Sequence, residues 1–412
     1  MKTKTLTKLG IGTVVVLVVL VATAGLLLSN GKTLGERHNP FKATTAFDFA
    51  AGSFADYVAF TKATIKSERE DNPTQDVVDN LASFILTPGP ECPQDANGRY
   101  AKGIVLVHGL LDSTYNMRPI GEYFQSQCFY VQGVLLPGHA TRPGDLLATS
   151  WEKWTEVTHF AATQLALHAN TLFLAGHSIG GALSLLEGTQ NPEVDALILF
   201  APALAVTDTA RFAGSVSLLG KIFPKAGWLD ADKDDAVYRY ESMSFSSVAE
   251  TWALIGVMQE AIKQSPRQLP VFTVASMQDS TVLTPAILDY MASNTNPLSH
   301  TLLYSQEEIA AIPNTTIVVS KSLDQGILSL SHLGLMTPPT HPWFGRDGVY
   351  RSCGHYGNEE NPRFVQCKNG ERDFYGETTP GNIEEGVLER IAFNPYYDVM
   401  IEQISSFAAA VN

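Results

Sequence analysis

The stretch Gly176-His177-Ser178-Ile179-Gly180 constrains this chain more than any other. It stands between an apolar run, Thr171-Leu172-Phe173-Leu174-Ala175, and a helix-forming run, Ala182-Leu183-Ser184-Leu185-Leu186-Glu187. A serine held at a sharp strand-to-helix turn is pushed out of the backbone, with its Oγ exposed above the sheet. Glycines are needed on both sides because a Cβ there would collide across the turn. The pattern Gly-x-Ser-x-Gly alone arises by chance in roughly one chain of this length in five to ten at average glycine usage. The strand before it and the helix after it give it weight.

The surrounding sequence has the matching rhythm. Ile104–Val107, Val131–Leu136, Leu197–Phe200 and Val271–Ala275 are short apolar runs, as expected of parallel strands covered on both faces. Thr301–Tyr304 and Thr315–Val319 are further strand candidates. Trp151 to His168 reads as a helix with Trp154, Val157, Phe160, Ala161 and Leu165 on one side. Alternating strands and helices predict an α/β fold with a mostly parallel central sheet flanked by helices. The expected segments are an N-terminal helical extension over 31–100, a core in two halves over 101–204 and 269–334, and a closing helix within 390–412. The extension should hold helices at Phe47–Lys66 and Val77–Ile85. Segment 205–268 interrupts the rhythm with helical pieces, and 335–389 is rich in Pro, Gly, Tyr and charge.

A chain of 412 residues allows one large domain with insertions, or two domains. Its net charge of −14 argues against a nucleic-acid partner, because nothing here would neutralise phosphates. Lys2, Lys4 and Lys8 precede an uncharged apolar run from Ile11 to Leu28. With Leu9 and Gly10 that is about 20 residues, long enough to cross a bilayer. Segment 1–30 therefore reads as a signal anchor or a cleaved signal peptide, with Ala22-Thr23-Ala24 as the cleavage candidate. Either places the rest of the chain outside the cytoplasm, with the membrane as a partner of the anchored form. In that setting Cys92, Cys128, Cys353 and Cys367 favour disulfides, and their order favours Cys92–Cys128 and Cys353–Cys367. A metal site at Cys353, His355 and Cys367 is the rival, without a convincing fourth ligand.

A serine hydroxyl becomes nucleophilic when a histidine takes its proton and a carboxylate orients that histidine. In open parallel sheets such groups gather at the carboxyl ends of strands. Asp279 is the first acid after the strand Val271–Ala275, and its rival role is that of a helix N-cap. Asp289, within an expected helix, and Asp324, in a loop, are weaker. His332 in Ser331-His332-Leu333-Gly334 is the base candidate. His300 precedes its strand, while His341 and His355 lie in the Pro/Gly-rich segment. His177 should pack behind the elbow, and His108 should shape a loop. The oxyanion donors should be the backbone N–H groups of Ile179 and Leu110. His139 and Arg142 should order a loop near the site or touch substrate.

On His108-Gly109-Leu110, Leu136-Pro137-Gly138-His139, Gly176-His177-Ser178-Ile179-Gly180, Asp279-Ser280-Thr281-Val282 and Ser331-His332, the chain resembles the α/β-hydrolase superfamily. Within that superfamily it is similar to the carboxylesterase and monoacylglycerol-lipase-like group. The resemblance covers about 101–204 and 269–333. It implies Ser178 as nucleophile, His332 as base, Asp279 as its partner, and a cap over 205–268. The long segment 335–389 and the N-terminal run depart from the group. The implied activity is hydrolysis of a small-molecule or lipid-like carboxylic ester through an acyl-enzyme, with no cofactor and no metal. Peptidase, amidase or thioesterase action on the same triad is the alternative. A catalytically inactive, membrane-anchored binding protein is the other. Trp252, Leu254, Ile255, Val257 and Met258 suit either a lipophilic pocket or helix packing.

Overall fold

The computed structural model of this protein describes residues 23, 25–29, 32–41, 46–231, 236–357, 359–371 and 373–411. Strands form where short apolar runs have both faces to bury. Ile104 to Val107 and Ala196 to Phe200 are completely buried, at 0% exposure. In chain order the strands of the main sheet are β1 (Phe84–Leu86), β2 (Tyr100–Val107), β3 (Phe129–Val134), β4 (Ala169–His177) and β5 (Val194–Phe200). Two short strands, β6 (Trp228–Asp230) and β7 (Met243–Ser244), then form a separate antiparallel pair. The main sheet resumes with β8 (Val271–Ser276), β9 (His300–Ser305) and β10 (Thr315–Val319). A second small sheet pairs β11 (Phe374–Gly376) with β12 (Val387–Arg390) in parallel.

The main sheet has eight strands in the order β1-β3-β2-β4-β5-β8-β9-β10. Every neighbouring pair is parallel except β1 with β3. Strand order therefore reverses around β2 and β4, and the carboxyl ends of the central strands open onto one edge where functional groups collect. Helices Arg118–Ser126, Trp151–Leu165, Ile179–Gln190, Thr284–Ser293 and Tyr397–Ala410 fill the intervals and the C-terminus.

Two expectations about the extension need correction. The first helix begins at Phe54, because Ser53 and Asp56 form a reciprocal cap. Phe47 and Phe49 lie before it and pack edge-on with Tyr57 and Phe160. The expected helix Val77–Ile85 is a shorter one, Gln75–Leu81, followed by β1. Phe84 pairs with Gly133 of β3, and a Cβ at 133 would stand 2.2 Å from the Phe84 ring. The ring occupies the space a side chain would take, which pins β1 in register.

The apolar stripe of the helix Phe245–Gln264 divides, with Trp252 and Val257 half-buried. Leu254 and Met258 are fully buried and Ile255 nearly so, all in the main core. These three residues pack the helix onto the core. The apolar run Ile11–Leu28 lies outside the described residues except at 23 and 25–28. Among the described residues no helix is long and apolar enough to cross a membrane.

Both expected disulfides are present, Cys92–Cys128 and Cys353–Cys367. The second consumes both thiols of the rival metal site. Cys92–Cys128 closes a loop with a sequence separation of 36, which restrains the unfolded chain. Replacing both residues by alanine should lower unfolding stability by about 2–4 kcal/mol. Urea denaturation without reductant measures this, and an unchanged midpoint would show that the crosslink contributes nothing.

Candidate active site

The elbow is built from close backbone approaches. A Cβ on Gly176 would stand 2.1 Å from the Gly180 carbonyl oxygen, and one on Gly180 would stand 2.1 Å from that of Val107. No side chain fits at either point, so β4 passes directly into the helix Ile179–Gln190 against the end of β2. Ser178 sits between them at φ 56° and ψ −117°, a left-handed conformation uncommon for a side-chain-bearing residue. Strain of this kind persists only where the surroundings over-determine it. Here the Ser178 N–H donates to Phe200 O at 3.0 Å, and its carbonyl accepts from Ala203 N at 2.9 Å.

Asp279 follows β8 and His332 lies beyond β10, and the structure brings their side chains together. His332 Nδ1 lies 2.7 Å from Asp279 Oδ2, with the two side chains only 4% and 1% exposed. The other carboxylate oxygen accepts from the N–H groups of Thr281 and Val282 at 2.8 and 2.9 Å. The rival role of Asp279 as a helix cap fails, because the next helix starts at Thr284 with Leu283 at its cap. Asp289 and Asp324 are both exposed.

His332 stands beside the elbow. The His177 Nε2–H donates to the His332 carbonyl at 3.0 Å, and the two rings lie 4.8 Å apart. Burial, with the neighbouring His332, depresses the His177 pKa to about 3, so this imidazole stays neutral. The Ser178 Oγ makes no hydrogen bond among the described residues, so the structure does not join it to His332 Nε2.

Gly109 lies against the serine, since a Cβ there would stand 3.3 Å from Ser178 Cβ. The N–H groups of Leu110 and Ile179 donate to no acceptor among the described residues. His108 shapes this loop: its Nε2 accepts from Leu136 N at 3.0 Å and its Nδ1 faces Gly109 O at 2.8 Å. Burial holds His108 well below the usual imidazole range. His139 turns its Nδ1 towards the carbonyls of Leu136 and Pro137, and Arg142 donates to Glu68 O. Both therefore order the loop after β3. His341 accepts from the N–H groups of Trp343 and Phe344 and so organises its own turn. A cavity of about 500 Å³ lies beyond His139, lined by Phe47, Tyr57 and Phe60 among others, and Ser178 is not part of its wall.

Sequence reasoning missed two residues at the loops that carry Asp279 and His332, Glu377 and Arg390. Glu377, one residue past β11, is fully buried. Its Oε2 accepts from His332 N at 3.2 Å and from Ser280 N at 3.3 Å. Arg390, the last residue of β12, grips the same carboxylate at 2.6 and 2.9 Å. Burial alone would raise the Glu377 pKa, but the Arg390 charge and hydrogen bonds hold it at about 2. One glutamate among several in a Pro/Gly-rich segment carries no motif, so no sequence signal marks it.

Residues 99–269 match the family model described as Serine aminopeptidase, S33. The fold is that of an α/β-hydrolase. Over 120 residues this chain is 27% identical to the Thermostable monoacylglycerol lipase of Bacillus sp. (strain H-257). That stretch is 29% of this chain and 47% of the relative, so the match spans about half the relative's length. Among solved structures, the monoacylglycerol lipase of Paleococcus ferrophilus is 19% identical with a TM-score of 0.42, over 55% of this chain and 88% of that one. Est1E from Butyrivibrio proteoclasticus with ferulic acid bound is 17% identical with a TM-score of 0.41, over 54% and 84%.

The neutral His177 gives a test of this elbow. The folded state refuses a proton that the unfolded chain accepts below about pH 6.5. Its contribution to stability is therefore complete above that pH and is lost progressively as pH falls towards about 3. Between pH 5.5 and 4 the slope of unfolding free energy against pH should be about 1.4 kcal/mol per unit shallower in His177→Asn than in the parent. Equal slopes in paired urea titrations would show that His177 is protonated in the folded protein.

Proposed function

We propose that this protein is a serine hydrolase of carboxylic esters in which Ser178 is the nucleophile, His332 the general base and Asp279 its orienting acid. The observation that carries this reading is the buried Asp279–His332 pair, 2.7 Å long, set beside a strained serine elbow. Ser178 Oγ attacks the ester carbonyl carbon while His332 Nε2 takes its proton. Asp279 holds the Nδ1–H and stabilises the imidazolium. The N–H groups of Leu110 and Ile179 receive the oxyanion. Collapse expels the alcohol, which leaves with the proton from His332, and water then releases the acyl group by the same steps in reverse. The Ser178–His332 contact closes as substrate binds, since catalytic hydrogen bonds often tighten only in the Michaelis complex.

The monoacylglycerol lipase relative supports a small-molecule, lipid-like ester as substrate. The description of the matching family as a serine aminopeptidase favours a second reading, amide hydrolysis on the same groups. Turnover across matched esters, anilides and thioesters separates them. The two disulfides support an extracytoplasmic setting, with residues 11–28 as anchor or signal.

Ser178→Ala should lower kcat/KM for a short-chain aryl ester by about 10⁴-fold or more and abolish labelling by a fluorophosphonate probe. Undiminished turnover in that variant ends the proposal.

A further inference from the structure

The segment 335–389 follows the last triad residue, and its sequence gives it no task. Its contacts do. The Asp279–His332 hydrogen bond joins loops that leave different strands, β8 and β10, so its geometry depends on whatever fixes one loop to the other. Ser276 Oγ donates to Leu330 O at 2.9 Å, which ties the two loops upstream. The Glu377 carboxylate ties them at the triad itself. One of its oxygens takes the N–H of the base, His332, and the N–H of Ser280, the residue after the acid. Arg390 Nη2 adds a bond to Thr281 Oγ1 at 2.9 Å, on the same acid-bearing loop.

The carboxylate is itself held. Glu377 N donates to Ser329 Oγ at 3.0 Å, and Asn382 Nδ2 donates to both Ser329 Oγ and Glu377 O at 2.9 Å. Strand β11 reaches back to the base-bearing segment through Leu328 N to Tyr375 O and Tyr375 N to Gly326 O. Strand β12 carries Arg390, whose own N–H donates to Ser352 O at 3.1 Å. A carboxylate serving only the insertion would bond to the insertion; this one spends an oxygen on the two loops of the triad.

We infer that Glu377, clamped by Arg390, is a positioning residue that fixes the loops of Asp279 and His332 relative to each other, which makes the disulfide-bearing insertion part of the catalytic apparatus. The inference rests on the hydrolase reading above. Its electrostatics make the test specific. Asp279, His177 and Asp112 lie around His332, and the charge of Arg239 acts on both His177 and Asp112. His355 faces the Glu377–Arg390 pair and is kept neutral, chiefly by burial, at about 4. Glu377 and Arg390 nearly cancel as a pair, so removing either leaves one unbalanced charge beside the base.

The experiment measures ester hydrolysis from pH 4 to 9 in the full chain for Glu377→Gln, Arg390→Met and the double variant, with rates normalised to fluorophosphonate-titrated sites, and for Ser178→Ala, with rates normalised to folded protein concentration. Misplacing catalytic groups by about 1 Å costs roughly 10²-fold, so Glu377→Gln should lose about ten- to a hundredfold in kcat with KM within about twofold. The acid limb of kcat/KM should move to lower pH in Glu377→Gln, where the lone guanidinium disfavours protonation of the base. It should move to higher pH in Arg390→Met and return in the double variant. Parent-like kcat and an unmoved acid limb in Glu377→Gln, with Ser178→Ala inactive, would overturn the positioning role alone. Turnover retained by Ser178→Ala would overturn the hydrolase reading instead. If Glu377→Gln fails to fold, the double variant decides, and parent-like kcat there overturns the proposal.

Discussion

The backbone contact between the start of the helix Ile179–Gln190 and the end of β2 governs the rest of the site. Gly180 leaves no room for even one carbon between itself and Val107 O. That contact sets the start of the helix beside Gly109, where a Cβ would stand 3.3 Å from Ser178 Cβ. It also forces the serine backbone into its left-handed conformation. The packing density of the elbow and the chemistry of the site are thus the same fact seen at two scales.

Around this rigid centre, Asp279 and His332 arrive on loops, which are softer elements. Their arrangement is secured by hydrogen bonds from parts of the chain that carry no reacting group. His177 holds the His332 carbonyl from the elbow side. Ser276 holds Leu330 from the sheet side, and Glu377 holds both loops from the insertion. Every one of these holders is buried, where a hydrogen bond is stronger and its loss more costly than in water.

Much of this was legible in the sequence because strand ends are legible. Ser178 and Asp279 each follow a short apolar run, and the rule that functional groups gather at carboxyl ends of parallel strands selects them from many serines and aspartates. His332 follows no such run directly and was reached by elimination among the histidines. The fold class came from the same alternation of apolar runs and amphipathic stretches. What stayed hidden depended on partners far away in sequence. Phe84 reads as the end of a helix until Gly133 is known to lie beneath its ring. The stripe on Phe245–Gln264 suits a pocket or a core equally until the helix after Ser178 is placed against it. Glu377 is one carboxylate among many until Arg390 and the loop backbones converge on it.

The disulfide Cys353–Cys367 acquires meaning from its surroundings. It sits in a small apolar cluster with Leu388, and Tyr356 donates through its hydroxyl to Val387 O, so this cluster braces the strand that ends in Arg390. A chain cut after residue 334 would keep serine, histidine and aspartate yet lose the brace, the guanidinium and the carboxylate between the loops. If Glu377 holds the loops as inferred, the smallest working unit of this protein is longer than the span from Ser178 to His332, and grafting or trimming that respects only those three side chains would inherit an unsteady site.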